Sequence, residues 1–93
     1  ALMRPQLDKQ GKLRFPCAWP VKAMTRTHAD ALDRVLDEIA RHAAPPARDS
    51  VRIKPSRNGR YQSLTVTVEI DSRAQLEAIY SALRELDIVV MTL

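Results

Sequence analysis

Three residues in this 93-residue chain carry side chains from which a nucleophile and its base are built elsewhere: Cys17, His28 and His42. A thiol attacks as thiolate, with a base in hydrogen-bond reach and a third group to orient that base. His28 and His42 fall at opposite ends of one predicted helix, about 21 Å apart at 1.5 Å per residue, so they cannot serve one site. A single cysteine forms no internal disulfide, and no Cys/His pair has the spacing of metal ligands. The residues therefore predict a protein that is not an enzyme, with no catalytic residues, no metal and no cofactor. Cys17 reads as a small buried hydrophobe, and His42 as a cation placed at a helix C-terminus.

Binding chemistry is better represented. Lys22 on one predicted strand and Ser63, Thr65 and Thr67 on another alternate with apolar residues, so they project from the polar face of a sheet. One ammonium beside several hydroxyls suits a carboxylate or a phosphate group. Lys22 and Thr65 are the first candidate ligand contacts, with Arg60 and Tyr61 next. A solvated polar face, or a polar contact between subunits, explains the same pattern without a ligand.

Charge is unevenly placed. The net charge of +4 resolves into +4 over residues 1–22, −1 over 23–47, +4 over 48–60 and −3 over 61–93. A basic hairpin at 48–60 suggests an alternative function, weak electrostatic binding of nucleic acid, RNA in particular. An RNA-recognition sheet stacks bases on exposed aromatics. Here the stretch Arg60-Tyr61-Gln62-Ser63-Leu64-Thr65-Val66 offers one aromatic, then hydroxyls. That pattern favours phosphate contact over base stacking.

The elements that position these groups follow from periodicity. Residues 1–14, with Pro5 and Gly11 as breakers, read as a flexible arm, and residues 15–93 as one domain. Cys17 to Met24 form a strand whose face carries Trp19, Val21 and Ala23. Pro16 and Pro20 should confine its regular ladder to Val21 onward. Thr27 is a candidate N-cap for a helix with Leu32, Val35, Leu36 and Ile39 on one stripe, Arg41 and His42 in its last turn, and Pro45-Pro46 as its stop. Val51 and Ile53 alternate with Arg52 and Lys54 in a second strand. Asn58-Gly59 sits in a turn longer than two residues, and Leu64, Val66, Val68 and Ile70 mark a third strand. Ser72 and Gln75 match a capping box for a helix with Leu76, Ile79, Tyr80, Leu83 and Leu86, and Ile88 to Met91 close the chain as a fourth strand.

Strand, helix, strand, strand, helix, strand, with right-handed crossovers, predicts an α+β ferredoxin-like βαββαβ sandwich: a four-stranded antiparallel sheet of order 4-1-3-2 with two helices on one face. The expected core holds Trp19, Val21, Leu32, Val35, Leu36, Ile39, Ile53, Leu64, Val66, Val68, Ile70, Leu76, Ile79, Leu83 and Leu86. The last strand lies at an edge yet is apolar on both faces, so either Leu13 and Phe15 of the arm cover it or a second subunit does; a homodimer is expected, with Ile88 and Val90 as interface candidates. No apolar run approaches the roughly 18 residues of a membrane span, and residues 1–14 lack the apolar stretch of a secretory signal. A cytoplasmic protein without membrane contact is expected.

Phe15-Pro16, Val21-Lys22-Ala23-Met24, Arg41-His42-Ala43, Lys54-Pro55-Ser56, Gly59-Arg60-Tyr61-Gln62-Ser63-Leu64-Thr65-Val66 and the ending from Ile79-Tyr80 to Val90-Met91-Thr92-Leu93 together resemble the bacterial YbeD-like proteins. The resemblance covers residues 15–93. It implies a small ferredoxin-like cytosolic protein, similar in architecture to ACT regulatory domains, with a suggested link to regulation of lipoate metabolism. It carries no catalytic residues over. The chain departs from the family pattern at Arg57-Asn58, where Ser-Lys is typical, and at Thr25, where Gly is usual. The function expected is a non-enzymatic regulatory or adaptor domain that binds a small effector or a protein partner.

Overall fold

The computed structural model describes residues 14–93, so most of the arm expected at 1–14 lies outside the described residues. The elements are β1 (Cys17–Arg26), α1 (Ala31–Ala40), a short 3-10 turn (Arg48–Ser50), β2 (Arg52–Pro55), β3 (Tyr61–Ile70), α2 (Arg73–Glu85) and β4 (Val89–Thr92). The sheet order is β2-β3-β1-β4 with every pairing antiparallel, which is the expected 4-1-3-2 arrangement of a ferredoxin-like sandwich. No helix of the described residues is long and apolar enough to cross a membrane.

The β1–β3 ladder is the axis of the molecule, and it is longer than expected. All of β1 pairs, from Cys17 opposite Ile70 to Arg26 opposite Tyr61. Pro20 does not interrupt it, for a geometric reason. The Lys22 carbonyl accepts from the Leu93 N–H at 3.0 Å and the Arg26 N–H donates to the Ile88 carbonyl at 2.9 Å, so alternate residues of β1 turn their backbone toward β4. Pro20 has this orientation and lies past the end of β4, where no ladder bond needs its missing N–H.

Strand alternation sends Cys17, Val21, Ala23 and Thr25 of β1, with Leu64, Val66, Val68 and Ile70 of β3, to the face that both helices cover. Val35, Leu36 and Ile39 of α1 and Leu76, Ile79 and Leu83 of α2 complete the core, with Trp19, Leu32, Tyr80 and Leu86 packed partly buried at its margin. Ile53 does not belong to it. Its partner Leu64 is fully buried, yet Ile53 is 50% exposed, because β2 is a four-residue edge strand all of whose residues are exposed.

Helix α1 begins later than its sequence suggests. The Thr27 N–H donates to the Arg60 carbonyl at 3.0 Å, so Thr27 still belongs to the extended end of the β1–β3 pairing, and the first helical residue, Ala31, comes too late for Thr27 to be its cap. Asp30 occupies the N-cap position without a side-chain bond, and its N–H donates to His28 Nδ1. At the other end the helix stops at Ala40 with Arg41 as C-cap, so Arg41 and His42 follow the last turn and do not lie in it. Helix α2 has the expected cap: Ser72 Oγ accepts from the Gln75 N–H at 3.1 Å. Gln75 reaches back to the Asp71 N–H (2.6 Å) and donates from Nε2 to the His42 carbonyl (2.8 Å), joining the start of α2 to the end of α1.

Candidate functional site

The helices fill one face of the sheet and leave the other open. Cross-strand register arranges that open face in rows. Arg52, Thr65 and Lys22 form one row across β2, β3 and β1. Lys54, Ser63, Met24 and Met91 form the next, across all four strands. Tyr61 and Arg26 form a third toward the hairpin. Lys22 and Thr65 are thus direct neighbours, as their sequence positions suggest. Tyr61 lies on the same face, whereas Arg60 stands beyond the strand end in the loop.

The hairpin that presents Tyr61 is internally braced. Ser56 N–H donates to the Tyr61 carbonyl at 2.8 Å, Tyr61 N–H donates to Ser56 Oγ at 3.1 Å, and Asn58 Oδ1 accepts from the Arg60 N–H at 3.0 Å. Gly59 takes a φ of +76°, the left-handed region that only glycine enters without strain. Beside this loop a shallow depression of about 200 Å³ is lined by Met24, Lys54, Ser56, Tyr61 and Ser63 among others.

Among the cations of this face, Arg26 is absent from the sequence-derived candidates, and Arg52 and Lys54 enter them only as part of the basic 48–60 segment, not as neighbours of Lys22. The alternation of Arg52 and Lys54 about Ile53 carries the signal, but only the register with Thr65 and Ser63 shows that they share a surface with Lys22. Arg26 lies beyond the strand end expected from the sequence. Lys22, Arg26, Arg52 and Lys54 are exposed, and none has an ion-pair partner among the described residues. Arginine ion pairs among the described residues, Arg34 with Asp87 and Arg48 with Asp33, lie on the helical side.

The two interface candidates separate. Ile88 is 6% exposed and packs inside its own chain, just before β4 begins. Val90 is 43% exposed and stands at a bulge, since Met24 pairs with Met91 but Thr25 pairs with Val89. Met91 and Leu93 are exposed beside it.

Cys17 is a free, buried thiol at the start of β1. Burial pushes the Cys17 thiol above its ordinary value of 9.0, and the Glu69 carboxylate adds to the effect, so the thiol is held protonated. His28 pairs with Asp30 at the surface. Among the described residues, no group of three or more His, Cys, Asp or Glu side chains comes together in a way that could hold a metal ion.

Residues 10–93 match the family described as protein of unknown function DUF493. A UPF0250 protein of Vibrio cholerae is 43% identical over 81 residues, covering 87% of this chain and 86% of its own. A UPF0250 protein of Neisseria gonorrhoeae is 34% identical over 91 residues, covering 98% of this chain and 100% of its own. The solution structure of protein HP0495 from H. pylori superposes with a TM-score of 0.68 at 21% identity, covering 100% of this chain and 98% of that one, which supports the fold. With a family match across nearly the whole domain and relatives of this similarity, the chain belongs to the bacterial DUF493 family, the YbeD-like UPF0250 proteins.

Proposed function

We propose that the protein is a non-enzymatic regulatory or adaptor domain of the cytoplasm, recognising a small effector or a protein partner on the open face of its sheet. One observation carries this reading. The sheet has a face filled by two helices and a face left open, and the open one presents Lys22 and Thr65 side by side in a row of polar residues. A homodimer belongs to the same reading, held by the exposed side chains of Val90, Met91 and Leu93 at the β4 edge. The control of lipoate metabolism, implied by the family resemblance, is the first pathway in which to seek the partner.

Wild-type protein and a Lys22→Glu variant, each immobilised and exposed to native cytosol, test the recognition face. Proteins and metabolites retained by the wild type should be lost from the variant, and identical retained sets refute the assignment. Sedimentation at micromolar concentration tests the pairing: the wild type should be a dimer and Val90→Lys a monomer. A monomeric wild type removes that part. Ile88→Lys is unsuitable because it would place a charge inside the chain.

A second reading, electrostatic binding of nucleic acid, is supported by the unpaired cations of the sheet, which extend the charge of the 48–60 hairpin onto the open face.

A further inference from the structure

We infer that the open face of the sheet is a binding site for single-stranded RNA, with Lys22, Arg26, Arg52 and Lys54 contacting its phosphates. This deepens the second reading above: Arg52 and Lys54 belong to the 48–60 segment, and Lys22 and Arg26 extend its contact across the sheet. The four cations come from β1 and β2 and flank the hydroxyls of Ser63 and Thr65 on β3. Against them, among the described residues, the strands carry one acid on this face, Glu69, at its far end opposite Ala18.

Spacing decides the class of ligand. Adjacent strands lie about 4.8 Å apart and residues rise about 3.3 Å along a strand. Arg52 and Lys22 are therefore about 10 Å apart, and Lys22 and Arg26 about 13 Å. These are backbone separations, and four cations spread over two strands and about 13 Å match the successive phosphates of one polynucleotide strand better than a single carboxylate or phosphate. Single strands lie readily on open sheets, with phosphates on cations and bases against exposed side chains. Between the cations, Tyr61 offers a ring for stacking, and Met24 offers an apolar contact for a base face. The helical layer is not an equivalent surface: Asp33, Asp37, Glu38, Glu77 and Glu85 there outnumber Arg34, Arg73 and Arg84. A second copy stacked face to face would oppose like charges, so the same surface does not serve self-association.

The test is fluorescence anisotropy of the full chain with a labelled RNA of mixed sequence, about twelve nucleotides long, across a salt series. Four phosphate contacts predict a slope of log affinity on log salt of about −3, or about sevenfold weaker binding for each doubling of salt. Lys22→Ala and Arg52→Ala should each reduce the slope by about 0.7, and Tyr61→Leu should weaken binding about fivefold or more. Arg41→Ala and Arg84→Ala, on the helical side, should leave both unchanged. These side chains are exposed, and matching thermal melts verify that each variant folds. The inference is overturned by absent binding at low salt, by equal loss in the helical-side variants, by indifference to Lys22→Ala and Arg52→Ala, or by duplex DNA binding as tightly as the RNA. Failure here leaves the effector and partner reading standing, because that rests on retention from cytosol and its loss in Lys22→Glu.

Discussion

Trp19 donates its indole N–H to the Tyr80 hydroxyl at 3.0 Å, tying the first strand to the second helix across the margin of the core. The same hydroxyl donates to the Leu93 carbonyl at 3.2 Å, so one side chain joins β1, α2 and the residue after β4. A half-buried indole N–H satisfied in this way explains why the only tryptophan can pack at the core edge without stranding a polar group.

Replacing Tyr80 with Phe keeps the ring and removes both bonds. Stability should fall by about 1 kcal/mol, with a shifted Trp19 emission maximum in the folded state. Urea unfolding followed by that fluorescence measures both, and an unchanged midpoint would show the hydroxyl to be dispensable.

Ile39 and Ile53 are the same residue type in different surroundings. Ile39 is fully buried, and Ile39→Ala should cost about 2–5 kcal/mol. Ile53→Ala should cost well under about 1 kcal/mol, because half of the side chain already meets water. Comparable losses at the two positions in denaturant titrations would contradict the edge placement of β2.

Gln75 should matter more than an ordinary helix-start residue. Ser72→Ala removes one cap at a cost of about 1 kcal/mol. Gln75→Ala deprives both the Asp71 N–H and the His42 carbonyl of their partner, and should cost at least as much. The double variant should deviate from additivity by about 0.5 kcal/mol or more, since both act on one turn. Strict additivity in the double-mutant cycle would separate the two roles.

The Arg34 guanidinium bonds the Asp87 carboxylate at 2.7 Å, and this hydrogen bond, with the accompanying charge, holds the Asp87 carboxyl below its ordinary value of 3.8. A value lowered on folding gives a stabilising contribution that is fully present above the unfolded value and is lost as pH falls through the folded one. Carboxyl resonances should place the Asp87 midpoint below 3.8 in the wild type and return it toward that value in Arg34→Gln. A midpoint indifferent to the substitution would show that the contact is not held in solution.

Periodicity alone sufficed for the order of elements and most of the core, because Val66, Val68 and Ile70 alternate strictly and Val35, Leu36 and Ile39 keep a helical stripe. It erred where neighbours decide. Thr27 has the chemistry of a cap, but its backbone prolongs the β1–β3 pairing and the helix starts only at Ala31. Pro20 looks like a break but faces an open edge, and Ile53 alternates correctly on a strand too short and too peripheral to be covered. The site was half legible for the same reason. Lys22 and Thr65 follow from alternation within their own strands, while Arg52 and Lys54 join them only through pairing that no single segment encodes.

The long central pairing of β1 with β3 has a dynamic consequence. Amide protons at Val21, Ala23, Leu64 and Val66 belong to the ladder that must open last, so they should exchange with deuterium near the global unfolding limit. β2 and β4 each pair along one side only and can fray while that ladder stays closed. The Lys22 and Thr65 side chains therefore ride on the stiffest part of the molecule, and a partner meets them already aligned, without having to order the backbone beneath them.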